Sequence, residues 1–313
     1  MMADAWLLAD VGGTTTRVGL ARGGRLDPGS TDSFRNAAFS GLSKIIDQYL
    51  ARHPIPPSAL CAGVAGPVRG STAQLTNLDW FIDSADLAKV TGAQDIHLIN
   101  DLTAQGYALD DLAPDTVTPL VTGATPPPGG ARMVMGLGTG SNIAVVHRTP
   151  QGLFVPPAEA GHSSLPHSDG AIGALIASLE GKDAHRPLEA LLSGPGLVRL
   201  HAHLSGDTLT PAQIITAHLA GDAGACASLT AFVRLLGSVL GDLALNHLPM
   251  GGIYLIGGTA RAVAPFLLPL GFAETFTAKG PYRHIIREIS VSLITDDNAA
   301  LRGCARHLRQ CLG

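Results

Sequence analysis

The stretch that most constrains this chain is Trp6 to Leu20, WLLADVGGTTTRVGL. It places an apolar run, an acidic residue, two glycines, three threonines and a second apolar run in 15 residues, which predicts two strands joined by a tight turn. Gly12 and Gly13 allow the turn to close without steric penalty. The amides of Gly12, Gly13, Thr14 and Thr15 can then face an anion, with Thr14 and Thr15 adding hydroxyl donors. Asp10, at the end of the first strand, repels a phosphate but is suited to hold a hydrated magnesium ion that binds one. On this stretch alone the alternative is a simple β-turn with Asp10 as a surface residue. Two other phosphate-binding designs do not fit. No GxxxxGK[ST] occurs, and a strand follows where a GxGxxG fingerprint needs a helix.

Composition narrows the function classes. The chain has 313 residues, room for two domains, and 46% hydrophobic and 15% charged residues describe a soluble globular protein. A formal net charge of −4, no basic block and 4% aromatics argue against a nucleic-acid partner. Cys61, Cys226, Cys304 and Cys311 lack CxxC or CxxH spacing and read as reduced thiols of a cytoplasmic protein, with no zinc cluster. No leader is expected, because Asp4 and Asp10 interrupt the apolar N-terminus. Apolar runs such as Ala264–Leu270 fall short of a membrane span.

Along the chain, helices are expected over 41–52 (capped by Ser40), 84–91 (capped by Ser84), 103–112, 168–179, 187–192, 198–204, 210–220 and 226–245. Strands are expected over 58–64, 74–80, 95–99, 131–136, 141–147, 251–256 and 286–295. This alternation predicts an α/β layer architecture. Residues 114–130, rich in Pro and Gly, read as a linker or long loop, with a domain boundary near 110. The expected division is 1–110 plus 298–313 for a small α/β domain and 111–297 for a large one.

Five places beyond the opening turn carry candidate chemistry. Asn100 and Asp101 follow the strand IHLI directly, where an α/β sheet presents ligand groups at its carboxyl edge. Asp101 there can orient and deprotonate a hydroxyl, or it can simply cap the next helix. The turn GLGTG, with Gly138, Thr139 and Gly140, repeats the opening strand–turn–strand design, and an internal duplication explains the pair. Glu159 and His162, three apart in AEAGH, can converge on a small polyol, or can be solvated loop residues. Glu189 sits in a short helix and can turn inward. Gly257 and Gly258, after the strand GGIYLI, remove side chains that would block a flat ring.

With these motifs in view, the chain resembles the bacterial ATP-dependent glucokinase family of the hexokinase–actin–Hsp70 superfamily. The likeness runs in order over nearly the whole length: DVGGTTTRVGL, GVAGPV, TNLDW, INDLTA, GLGTGS, EAGH, LLSGPGL, LIGG, AKG and DDNAALRG. It departs where Ala158 and Ala160 replace glycines, where Ser141 and Asn142 follow the second turn, and at Leu78 and Asp79. The resemblance implies an α/β fold of two ribonuclease-H-like (actin-like ATPase) domains around a central cleft, in a cytoplasmic homodimer. It implies phosphorylation of glucose at the 6-hydroxyl by ATP, the entry step of glycolysis, with Asp101 as general base beside Asn100. Glu159, His162 and Glu189 complete the sugar shell. Asp10 orients Mg2+, the turns Gly12–Thr15 and Gly138–Gly140 hold the ATP phosphates, and Gly257 and Gly258 line the adenosine site. Two alternatives remain open: a kinase of mannose, fructose or an N-acetylamino sugar, and a catalytically silent sugar-binding regulator of the same fold.

Overall fold

The computed structural model describes residues 5–75, 78–179 and 185–313. The chain divides into two compact units. Unit 1 comprises Met1–Pro114, Thr149–Pro157 and Asp296–Gly313, and unit 2 comprises Asp115–Arg148 and Ala158–Thr295.

The chain opens in unit 1 with β1 (Ala5–Val11), β2 (Thr15–Arg22), β3 (Arg25–Arg35) and α1 (Leu42–Arg52). Next come β4 (Ala59–Val64), a small antiparallel sheet of β5 (Val68–Arg69), β6 (Thr72–Gln74) and β7 (Phe81–Asp83), then α2 (Ser84–Thr91), β8 (Asp95–Asn100) and α3 (Asp101–Ala108). Unit 2 carries β9 (Val117–Val121), β10 (Arg132–Leu137) and β11 (Ser141–Thr149). After β12 (Gly152–Phe154) it continues with α4 (Gly170–Ser178), α5 (Gly194–Ser205), α6 (Pro211–Leu219) and α7 (Ala223–His247). It ends with β13 (Ile253–Ile256), α8 (Gly258–Val263), α9 (Phe272–Thr277), α10 (Arg283–Ile286) and β14 (Val291–Ile294). The last helix, α11 (Ala299–Leu312), belongs to unit 1.

The main sheet of unit 1 runs β3-β2-β1-β4-β8. Its hairpins are antiparallel, whereas β1, β4 and β8 are parallel neighbours. Alternation sends Leu7, Ala9, Val11, Leu60, Ala62 and Val64 into one core with Ile45, Ile46 and Tyr49 of α1. Leu8 and Cys61 face the other side, against Leu301, Cys304, Ala305 and Leu308 of α11. Strands covered on both faces are continuously apolar, as β4 is. In unit 2 the order β11-β10-β13-β14-β9 repeats the plan, with an antiparallel hairpin whose first strand leads parallel neighbours. Both units are therefore α/β, each built around a sheet.

α11 and α3 meet almost backbone to backbone. A Cβ at Gly303 would fall inside the van der Waals shell of the Ala104 carbonyl, with the amide of Ala108 3.1 Å away. Only glycine allows that crossing.

Several local expectations shift. Asp83, with its side chain accepting from the Ala85 amide, caps α2, and Ser84 is its first residue. The helix over 41–52 begins without a side-chain cap, so Ser40 plays no such part. The segment 74–80 is not one strand, since Leu75–Trp80 links β6 to β7, and Thr76 and Asn77 lie outside the described residues. Residues 117–121, expected within a loop, form β9 by pairing with β14 despite Pro119. The helix expected over 198–204 starts earlier, at Gly194, because Ser193 caps α5 and Pro195 sits in its first turn. Residues 187–192 hold only a 3-10 turn, and 286–295 reduces to β14 after a short α10. Thr210 caps α6, the start expected for the helix over 210–220, and Gln213 completes a capping box with it. Among the described residues one helix, α7, is long and apolar enough to cross a membrane. Its most apolar 18-residue window has mean hydropathy 1.6 and is 56% buried within the protein.

Gly303→Ala is expected to lower the unfolding free energy in urea by about 1–3 kcal/mol, since the added carbon forces α11 off α3. An unchanged transition midpoint would show that the crossing tolerates a methyl group.

Candidate functional site

In unit 1 the parallel strands end together. Asp10 lies opposite Gly63 and Val64 opposite Asn100, so β1, β4 and β8 present one carboxyl edge. The turn after β1 is anchored from within. Gly12 N–H donates to Thr15 O at 3.1 Å and Asn36 N–H to Thr14 O at 3.0 Å. Asn36 Nδ2 donates to Gly12 O at 2.8 Å, while Thr16 Oγ1 donates to Asn36 Oδ1 at 2.8 Å. Asn36 is 1% exposed. Three carbonyls of the turn are thus committed to internal donors, an arrangement that suits a loop offering amides and the exposed Thr14 to an anion.

Asp10 is 15% exposed and pairs with Arg17 at 3.3 Å. Burial pushes its carboxyl above the usual carboxylate range, and the Arg17 charge and hydrogen bond pull it back. A carboxylate desolvated this far, with one cation beside it, is a fitting oxygen ligand for a hard metal ion. Arg17 was legible in outline, because the hairpin register that pairs Val11 with Thr16 also sets Asp10 opposite Arg17.

Asn100 caps α3. Its Oδ1 accepts from Leu102 N–H at 3.0 Å and Thr103 N–H at 3.4 Å, and its Nδ2 donates to Gly66 O at 3.4 Å. Asp101 therefore occupies the first helical position rather than the cap, with Oδ1 accepting from Leu102 N–H at 2.8 Å. A carboxylate in the first turn is favoured in its ionised form by the helix dipole.

Unit 2 gathers its candidates at the ends of β10 and β13. Gly138 N–H donates to Gly140 O at 2.9 Å and closes the second turn, and the Gly138 carbonyl accepts from Gly194 N–H at 2.8 Å. Thr259 Oγ1 donates to the same oxygen at 3.2 Å, tying the turn to the start of α8. Gly257, with φ of +110°, adopts backbone that side chains resist, and a Cβ there would strike the Leu137 carbonyl. Gly258 opens α8 beside it.

The acidic and imidazole candidates lie against this turn. Glu189 Oε2 stands 2.6 Å from where a Cβ of Gly140 would be, and Glu189 Oε1 lies 3.7 Å from His162 Nε2. Asn142 Nδ2 donates to Ala158 O at 2.6 Å and to Glu159 Oε2 at 3.2 Å. Asn142, one of the departures from the family pattern, is thus a holder of Glu159. Beside Thr139 and Glu189 a cavity of about 630 Å³ opens, bounded also by Ser193 and Arg199.

Unit 1 thus assembles Asp10, Gly12, Gly13, Thr14, Thr15, Asn100 and Asp101 on one edge. Unit 2 assembles Gly138, Thr139, Gly140, Glu159, His162, Glu189, Gly257 and Gly258. Sequence reasoning missed Asn36, whose only signal was its place just after the third strand, and Thr259, which no motif marked. A glycine-hydroxyl turn beside two carboxylates, and a second turn beside carboxylates and an imidazole, are groups suited to anions and to hydroxyl-rich ligands.

Comparison with known proteins agrees. The glucokinase family model matches residues 7–311. A glucokinase of Psychromonas ingrahamii is 31% identical over 322 residues, covering 100% of this chain and 99% of its own. One of Yersinia enterocolitica is 29% identical over 319 residues, with 100% and 98% covered. The crystal structure of a glucokinase from an Antarctic psychrotroph superposes with a TM-score of 0.84 at 31% identity, covering 98% of this chain and 99% of that one. The chain belongs to the glucokinase family, and so to the hexose kinases of the hexokinase superfamily.

The Asp10 environment has a measurable consequence. Between the ordinary and the raised value the folded chain keeps a proton that the unfolded chain has released, so this group's contribution to stability falls as pH rises through that window. Relative to Asp10→Asn, the wild type should be more stable at about pH 4 than at about pH 7 when both are unfolded in urea. A difference independent of pH would mean that Arg17 fully offsets the burial.

Proposed function

We propose that the protein transfers the γ-phosphoryl group of ATP to the 6-hydroxyl of glucose, with Asp101 as general base. The observation that carries this reading is the placement of Asp101. It stands in the first turn of α3, next to the Asn100 that caps this helix, on the sheet edge that also carries Asp10 and the Gly12–Thr15 turn. The names of the 29–31% identical relatives support glucose as the acceptor.

In this reading each unit is a ribonuclease-H-like domain of the actin-like kind, supported by the shared order of a hairpin followed by parallel strands. Asp101 accepts the proton of the 6-hydroxyl and aims its oxygen for in-line attack. Asn100, Glu159, His162 and Glu189 accept from and donate to the remaining hydroxyls. The turns Gly12–Thr15 and Gly138–Gly140 offset charge on the phosphates through the amides they do not already use internally and through their threonine hydroxyls, and Gly257 and Gly258 leave room for the adenosine. Asp10 is the group placed to hold Mg2+, which when bound neutralises phosphate charge. Water must be kept from the transferring group, since it competes as an acceptor. We further propose a cytoplasmic homodimer, which light scattering on the purified chain checks.

Asp101→Asn is expected to lower turnover about 100- to 10,000-fold while glucose still binds by calorimetry. Turnover within about a factor of two of wild type would remove Asp101 from the role of base. A panel of glucose, mannose, fructose and N-acetylamino sugars with ATP and Mg2+ should show the highest kcat/KM for glucose. Faster turnover of another sugar would move the assignment within the family, and sugar binding without turnover of any would make the protein a silent binder.

A further inference from the structure

The kinase reading uses neither His97, on β8, nor the pair His307 and Cys311, on the last turns of α11. The structure brings these three together. His97 Nδ1 lies 3.0 Å from His307 Nε2, and Cys311 Sγ lies 3.7 Å from that same nitrogen. All three ligand atoms fall within 4.8 Å of one another, the one such group of three found among the described residues. His307 and Cys311 are four apart on one helix, hence on one face, and His97 reaches them from a strand 210 positions away.

Chemistry and spacing match one class of ligand. A tetrahedral zinc ion with Zn–N near 2.0 Å and Zn–S near 2.3 Å separates two nitrogens by about 3.3 Å and a nitrogen from a sulfur by about 3.6 Å. The observed 3.0 and 3.7 Å are close to those edges, and the third separation, from the exposed Cys311 sulfur to His97, is within 4.8 Å. His307 Nδ1 is buried without a hydrogen-bond partner, so the ring makes its polar contacts through Nε2, the atom aimed at the other two. The edge of Tyr107 packs against the same ring, with centroids 5.0 Å apart, and helps to hold its plane. Two imidazoles and a thiol select a borderline or soft cation over the hard Mg2+ of phosphoryl transfer.

We propose that His97 Nδ1, His307 Nε2 and Cys311 Sγ form a zinc-binding site that staples the end of α11 to β8, with its fourth position open to solvent. Binding takes sulfur as the thiolate, whose proton passes to water. The proton now shared by the two facing imidazole nitrogens moves, through solvent, to the far nitrogen of its ring. The site stands apart from the sheet edge: His97 is three residues before Asn100, roughly 10 Å along an extended strand.

The test uses the full-length, untagged protein freed of metal with a chelator. Zn2+ alone should bind at one equivalent per chain by calorimetry and raise the thermal midpoint. Co2+ in its place should give the near-ultraviolet sulfur-to-cobalt absorption of a thiolate ligand. Cys311→Ser, at an exposed position, should abolish that absorption and weaken Zn2+ binding at least tenfold. His97→Gln should weaken it comparably, while Cys226→Ser leaves both readouts unchanged, as does a large excess of Mg2+. Zn2+ binding unaffected by Cys311→Ser and His97→Gln, an absorption lost with Cys226 instead, or no binding by the wild type would each overturn the proposal. Glucose phosphorylation is not a readout here, so the outcome is independent of the kinase assignment.

Discussion

The contact between Gly303 and the Ala104 carbonyl is the constraint from which unit 1 takes its shape. An eight-residue helix such as α3 has no stability of its own in water and stays folded through what it packs against. Its partner is α11, pressed close enough that a single methyl group would part them. Since Asp101 is the first residue of α3, the position of that carboxylate is set by a helix that begins almost two hundred residues later. Asn100 completes the arrangement by capping the helix with its own side chain, leaving Asp101 in a first-turn position where negative charge is favoured.

Unit 2 secures its turn differently. The Gly138 carbonyl receives donors from the start of α5 and the start of α8 as its own amide closes on Gly140. Two segments far apart in sequence thus hold one backbone oxygen, and the carboxylate of Glu189 rests against the glycine two residues on. The His162–Glu189 contact, at 3.7 Å with exposures of 54% and 33%, is a loose one at the surface. Groups held so lightly exchange partners with arriving hydroxyls at small cost, which suits the sugar-binding role proposed for them.

What was legible in the sequence follows from the range of each signal. The Gly12–Thr15 turn, the strand into Asn100 and Asp101, and the 138–140 turn are written in contiguous residues, and hairpin register follows from them. Caps depend on one atom and were misplaced by a residue, as at Asp83 and Ser84. β9 was hidden because a strand containing Pro119 is recognisable only through its neighbour β14. Asn36 gave little beyond its place after a strand, since its value lies in three hydrogen bonds to residues 12–16, twenty or more positions earlier. Cys311 looked like a plain thiol because metal-ligand spacing was sought within short windows, whereas His97 completes its cluster across the fold.

Unit 1 is closed by the end of the chain, and that closure needs tethers. Bringing the two ends of a long chain together has an entropic cost that grows slowly with length, so a few good contacts at the return suffice. α11 makes them along its whole length: Arg302 holds Asp296 at 2.6 Å, Gly303 admits the crossing, and Arg309 holds Asp111 at 2.6 Å while reaching Gly24. Gln310 adds two bonds to the backbone of Leu153. Cys311 lies one residue beyond the last of these contacts. His307 and Cys311 face β8 at that end. A bound ion there would continue the series of tethers to the last turn, joining the helix that sets α3 to the strand that delivers Asp101.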